Sequence, residues 1–239
     1  MYKNIVIIGA SGTIGAAFVK YFAINNASAQ VFAFSQSEVV NKHDGVAYHH
    51  MQYDDEKSIS ESASKLPAGN IIDLVIVATG VLHDGNVKPE KSMRELNYNN
   101  MQHVFAANTF FPALVAKHFL PKLLINDRAV FACLSARVGS ISDDHLGGWF
   151  TYRASKAALN MFIKNIAIEF CRFHKNAIVV GLHPGTVISG LSQPYSTRIA
   201  PEKLFAADKS VAFLVDVMAS LSPDNSGNCY AWDGKEIPF

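Results

Sequence analysis

Tyr152 and Lys156 stand four residues apart in the run TYRASKAALN. On a helix, side chains at that spacing share a face, so a phenol and an ammonium are predicted to look into the same space. A free phenol keeps its proton until about pH 10. A neighbouring ammonium stabilises the phenolate and draws that value towards neutrality. Such a pair can give or take a proton at a carbonyl or alcohol oxygen, and the lysine can also reach ribose hydroxyls of a nicotinamide nucleotide. By itself the spacing favours a plainer reading, an aromatic helix start followed by a solvated lysine. The choice depends on what the rest of the chain brings to that helix.

The N-terminal run IVIIGASGTIG places Gly9, Gly12 and Gly15 three residues apart, between an apolar stretch and a periodic one. Gly9 suits a tight turn, Gly12 a close approach of pyrophosphate to the backbone, and Gly15 close packing of helix on sheet. The N–H groups at the helix start, with Ser11, Thr13 and Ile14 around them, would receive phosphate. An acid after the second strand favours NAD and an arginine NADP. Here FAFSQSE offers Ser35, Gln36 and Ser37, with no acid before Glu38 and no arginine. The missing acid points to NADP, with NAD as the alternative. Asp54, after the third strand, is either a partner for the adenine amino group or a helix N-cap.

The elements that must hold these groups alternate. Strands are expected at Asn4 to Ile8, Gln30 to Phe34, Val46 to His49, Asp73 to Ala78, Arg128 to Leu134, Ala177 to Leu182 and Asn228 to Trp232. Helical periodicity runs through Ile14 to Ile24 and Val211 to Leu221. Continuously apolar strands such as DLVIVA belong in a sheet covered on both faces. The expected fold is therefore α/β, a single Rossmann-type domain over 1–239 with a doubly wound parallel sheet of about seven strands and helices on both faces. Its dinucleotide-binding part covers about 1–135, and substrate-side segments lie at about 136–151 and 186–208. A formal net charge of +1 gives no footprint for nucleic acid or an anionic membrane. The N-terminal apolar stretch runs directly into the glycine turn with no cleavage pattern, and is read as a strand of a cytoplasmic protein. Three widely spaced cysteines form neither a disulfide framework nor a zinc pattern, and no metal is expected.

The order of glycine turn, VATGVLH, AANTFFPALVAKHFLP, LSARVGS, TYRASKAALN and LHPGTVISG resembles the short-chain dehydrogenase/reductase family over essentially the whole chain. It looks most like the C-factor-like group with its sniffer and carbonyl-reductase relatives. The resemblance implies that Tyr152 is the general acid/base and that Lys156 lowers its pKa and binds the nicotinamide ribose. It implies that Asn108, thirteen residues before Pro121, holds a water in a proton relay to Lys156. Ala78, Thr79 and Gly80 then line the cofactor on the adenosine side, and Pro184, Gly185, Thr186 and Val187 close over the nicotinamide. The family serine that polarises the substrate carbonyl falls on Ala136, counting back from Gly139. Ser135 is the expected replacement if the strand end is bulged, with Ser140 next.

The Ser-, Pro- and Gly-containing segment from Ile188 to Phe205 is expected to act as a substrate lid. Leu191, Pro194, Tyr195, Trp149 and Phe150 would form an apolar wall for a small carbonyl or alcohol substrate. The Tyr152 helix is apolar on more than one side, through Leu159, Met161, Phe162, Ile163, Ile166, Ile168 and Phe170, and the resemblance implies a homodimer or homotetramer. The leading expectation is an NAD(P)-dependent oxidoreductase. A nucleotide-binding signalling or sensor protein fits Ala136. A dehydratase or epimerase fits less well, because such relatives carry a larger substrate region.

Overall fold

The computed structural model describes residues 2–26, 28–85, 87–198 and 203–239. Strands β1 (Asn4–Ile8), β2 (Gln30–Ser35), β3 (Val46–His50), β4 (Leu74–Val77), β5 (Ala129–Leu134), β6 (Ala177–His183) and β9 (Cys229–Ala231) realise the seven expected strands to within two residues at either end. A short β7 (Thr186–Val187) and β8 (Leu204–Phe205) pair separately, and β10 (Glu236–Ile237) joins the main sheet. The sheet order is β10-β9-β6-β5-β4-β1-β2-β3, parallel throughout except for β10 against β9. The expected doubly wound sheet is thus present, with an eighth, antiparallel strand beyond the seven. That strand follows an Asp233-Gly234 turn, a standard hairpin signal, closed by Ala231 N–H donating to Lys235 O at 2.8 Å.

Helices α1 (Thr13–Asn25) and α6 (Ala207–Ser220) cover one face, with Phe18, Phe22, Leu214 and Met218 buried against β1, β4, β5 and β6. The other face carries α2 (Glu56–Ser64), α3 (Tyr98–Phe105), α4 (Phe111–Phe119) and α5 (Phe150–Phe170), through Phe111, Phe119, Leu159 and Ile163. Helix α6 starts four residues before the apolar periodicity does: in its first turn Asp208 and Lys209 are exposed, while Ser210 is buried and donates to Pro184 O at 2.7 Å. Strands β1, β4 and β5 are buried on both faces, as their unbroken apolar runs require.

The order reverses between β1 and β4, which run on to opposite neighbours, β2 and β5. In open α/β sheets this is where ligands bind, beyond the carboxyl ends of the strands. The first βα turn is set tightly there. A methyl group on Gly15 would lie 2.0 Å from the Gly9 carbonyl oxygen, so no side chain fits without moving the turn. Gly15→Ala is expected to cost about 1–3 kcal/mol. It would be read as a melting temperature lower by about 2–4 °C per kcal/mol in a thermal denaturation scan.

Candidate active site

A cleft of about 460 Å³ opens at this end of the sheet. Gly12, Thr13 and Ile14 form one wall, Ala78, Thr79 and Gly80 the floor, and Pro184, Gly185, Thr186 and Val187 the far side. Tyr152 and Lys156 line it between them. Among the described residues no carboxylate lines the cleft, whereas Lys156 and Arg137 do. Helix α1 starts at Gly12 with no side-chain cap and no acid in its first turn, so its first N–H groups and positive dipole end are open to an anion. A dinucleotide fits this site: pyrophosphate at the α1 start, and a ribose within reach of Lys156.

Lys156 is 2% exposed. Its ammonium donates to Leu134 O at 2.9 Å, which leaves two of its three protons without a partner among the described residues. Burial pushes its pKa down to about 8. Asn108, fully buried, lies in a π turn (Ala106–Phe110) between α3 and α4, where Phe111 N–H reaches back to Ala106 O. The wide turn is what an uninterrupted helical reading of this stretch misses, and such turns recur at functional sites. Asn108 Oδ1 accepts from Val81 N–H at 2.7 Å. Its amide donates to Val81 O at 2.8 Å and to Ser155 Oγ at 3.0 Å. Both amide protons are therefore taken, and Asn108 clamps the loop after β4 to α5. One lone pair on Oδ1 is its remaining side-chain capacity for a water. A methyl on Gly80 would stand 3.3 Å from Lys156 Nζ and 3.4 Å from Asn108 Oδ1, so these groups close round one point.

The Tyr152 phenol is pushed up to about 12 by burial. The expected lowering by Lys156 does not hold for the protein alone. The ammonium stands over the ring, 6.0 Å from its centroid, and is directed at Leu134 O. Ser135 lines the cleft, but its hydroxyl is buried and donates to Asn160 Oδ1 at 2.6 Å, so the proton expected for a substrate carbonyl is already given to α5. Ala136, at the family serine position, also lines the cleft. Ser140 does not: its oxygen accepts from Asp143 N–H at 3.1 Å and holds the next turn. His183 ends β6 in the cleft wall with Nδ1 buried and unpartnered among the described residues. Burial, then Arg137, pushes it down to about 4, and it is neutral at physiological pH.

Several expected contacts fall outside the cleft. Ser35 is buried and donates to Ser37 O at 2.6 Å, so it has no free proton for a 2′-phosphate. Asp54 accepts from the Gln52 amide at 2.6 Å, and the N-cap of α2 is Asp55 instead. Ser11 is exposed beside the turn, and Gly9 and Gly15 shape it from below. Of the expected apolar wall, Leu191, Tyr195 and Trp149 line the cleft, while Pro194 and Phe150 do not. The substrate-side segment is tied at its base by the β7–β8 ladder. Its stretch at 199–202 lies outside the described residues.

Several lining residues are not singled out by sequence reasoning. Leu82, Arg137 and Val138 line the cleft beside the expected Gly80 and Ala136, and Ser189 and Ser192 line it from within the expected lid. Glu90, 61 residues before Thr151 in the chain, holds the start of α5. Trp149 has φ 49°, in the left-handed region, after two left-handed glycines, Gly147 and Gly148. An L-residue there costs about 1–2 kcal/mol. Its indole meets the Tyr152 ring edge-on at 6.3 Å and the Tyr195 ring at 5.1 Å.

The short chain dehydrogenase family model matches residues 3–199. The chain belongs to that family, and with its dinucleotide cradle it is an NAD(P)-dependent short-chain oxidoreductase. It is 30% identical to C-signal of Myxococcus xanthus over 148 residues, 62% of this chain and 84% of that protein. Its fold is that of the NADPH-bound carbonyl reductase from chicken fatty liver, with a TM-score of 0.84, 24% identity, and coverage of 99% of this chain and 94% of that one. The carbonyl reductase Sniffer of D. melanogaster superposes with a TM-score of 0.83 at 18% identity over the full length of both chains.

The buried lysine leaves a mark on stability. An unfolded lysine titrates near 10.5, and folded Lys156 near 8. Below pH 8 both states are protonated, and burial of the charge costs the fold about 3 kcal/mol. Between the two values the unfolded chain binds the extra proton, so the lysine's contribution to stability rises with pH. Denaturant unfolding of wild type and Lys156→Met without nucleotide should show the variant's stability relative to wild type falling by about 2 kcal/mol from pH 7.5 to pH 9.5.

Proposed function

We propose that the protein is an NADP-preferring carbonyl reductase or alcohol dehydrogenase in which Tyr152 passes the proton. The observation that carries this is the shared cleft of Tyr152 and Lys156 beyond the glycine turn. A bound dinucleotide supplies the hydride and, when oxidised, a positive nicotinamide ring. Lys156 holds the ribose with its two spare protons, and its charge, added to that ring, favours the phenolate. Asn108 keeps the loop after β4 and α5 in register, with Oδ1 able to hold a water for proton exchange. The absence of an acid at the end of β2 supports NADP, as does the NADPH in the chicken reductase. Gln36 and Ser37, both exposed, are the groups left there to meet a 2′-phosphate. The wall of Trp149, Tyr195, Leu82 and Leu191 suits a carbonyl compound with apolar bulk.

Met161, Phe162 and Ile168 remain exposed on α5, and Phe110 on the neighbouring helix. Burial of this stripe between copies supports a homodimer or homotetramer, expected in light scattering as two or four times 26.1 kDa. No helix among the described residues is long and apolar enough to cross a membrane. Three free thiols fit the reducing cytoplasm.

NADPH oxidation followed at 340 nm against aldehydes, ketones and quinones tests the reading. Wild type should turn over, and Tyr152→Phe should lose a factor of about 10² or more. Ala136→Ser, which returns a hydroxyl to the strand end, should raise kcat by up to about a hundredfold. Ser135→Ala should lower stability by about 1–3 kcal/mol, through the orphaned Asn160 oxygen, while kcat stays within a few-fold. NADPH binding without turnover of any carbonyl would leave a nucleotide-binding sensor, the reading that Ala136 favours.

A further inference from the structure

Glu90 is 4% exposed, in the loop between β4 and α3. One carboxylate oxygen accepts from Thr151 N–H at 3.2 Å, and the other from the Thr151 hydroxyl. Its main-chain carbonyl accepts from Trp149 N–H at 2.6 Å. A buried carboxylate thus meets the first turn of α5, where free N–H groups and the helix dipole favour a negative charge. The three contacts bracket a left-handed tryptophan, a conformation that persists only when its surroundings hold it. The approach to the helix is braced from the other side as well. Arg153 Nε donates to Gly148 O at 2.9 Å, and the Arg153 guanidinium pairs with Asp144 at 3.1 Å. Asp144 in turn accepts from Leu146 N–H and Gly147 N–H. Tyr152 is the residue that follows Thr151. Glu90 itself does not line the cleft.

We infer that Glu90 is a positioning residue for the reaction: through Thr151 and the backbone of Trp149 it latches the first turn of α5, and so sets where the Trp149 indole and the Tyr152 phenol stand in the cleft. The catalytic consequence rests on the reading of Tyr152 as the proton donor. The placement of Trp149 does not. The latch needs a group that meets both the Thr151 N–H and the Thr151 hydroxyl. Glutamine can still do so, its carbonyl accepting from the N–H and its amide donating to the hydroxyl oxygen, whereas leucine keeps the bulk and leaves both without a partner.

The test uses Glu90→Leu, Thr151→Val and Thr151→Ser in a Trp232→Phe background. The chain has two tryptophans, so Trp149 is then the sole indole. Glu90→Leu and Thr151→Val should lower kcat by roughly tenfold to a hundredfold, the scale of a misplaced catalytic group. The KM for NADPH should stay within about twofold, because the α1 turn that would hold the pyrophosphate is untouched. Thr151→Ser should recover most of the rate lost in Thr151→Val. Emission from Trp149 should shift to the red in the two weakened variants as the indole leaves the Tyr195 and Tyr152 rings. Wild-type kcat and emission in both would overturn the inference. So would a loss of NADPH affinity in proportion to kcat, which would mean that Glu90 only maintains the fold. If the wild type reduces no carbonyl, the reading of Tyr152 falls, while the emission of Trp149 still decides whether the latch exists.

Discussion

The carboxyl end of the sheet is organised round one buried cation. Lys156 is enclosed with a single carbonyl, Leu134 O, as its partner, and a buried ammonium so poorly matched is costly. Its neighbours are shaped to admit it. Gly80 leaves room beside Nζ, and a methyl on Gly139 would lie 2.8 Å from the Lys156 Cβ. Asn108 is fixed close by through Val81 and Ser155 rather than through the lysine. The site therefore keeps unsatisfied donors facing the cleft, which is what a binding site needs and what a core avoids. A ligand that brings hydroxyl oxygens to those donors removes the mismatch, so binding and stability are coupled at this residue.

On the proposed reading, the two halves of a carbonyl reduction are unequally provided for. The phenol, the lysine and the asparagine clamp, which would serve proton transfer, stand in one place. The carbonyl oxygen lacks the hydroxyl that the family places at position 136, and neither flanking serine replaces it. Ser135 is held by Asn160 and Ser140 by its own turn. Strand alternation explains the first of these. Ser135 follows Cys133 on the face that meets α5, and residue 136 faces the other way. For the proposed reaction, polarisation would then come from the phenol alone or from groups on the substrate-side loops.

The fold and the cofactor half of the site were legible because the signals are local. A strand, three glycines and a periodic helix lie within a few residues of one another, and their spacing states what they do. The phenol–ammonium spacing is equally local, but only the order of motifs along the whole chain separates it from an ordinary helix start. Asn108 was placed by its distance from Pro121, but the π turn that aims it has no compositional signature. Asp54 and Asp55 are adjacent and chemically identical, and only geometry shows that the second caps α2. Ser35 was taken for a donor because hydroxyls donate. Its carbonyl partner lies two residues on, in a turn that the sequence does not specify. Glu90 was invisible, since it meets Thr151 across 61 residues and nothing near it marks a buried carboxylate.

This difference between the halves has a physical basis. Phosphate is bound by main-chain N–H groups at a helix start, so recognition needs only glycines in the right order. On the proposed reading, a substrate is held by side chains on segments that further contacts position: the β7–β8 ladder, the Asp144 turn with Arg153, and the Glu90 contacts with Trp149 and Thr151. Each of these is short and contributes little area. The Asp144 turn and the Glu90 contacts act on the start of α5, so a change in either can move Trp149 and Tyr152 while the glycine turn at the start of α1 keeps its own contacts. On the proposed reading, the selectivity of this protein would reside in side chains that line the cleft beyond the glycine turn, Leu82, Trp149, Leu191 and Tyr195 among them.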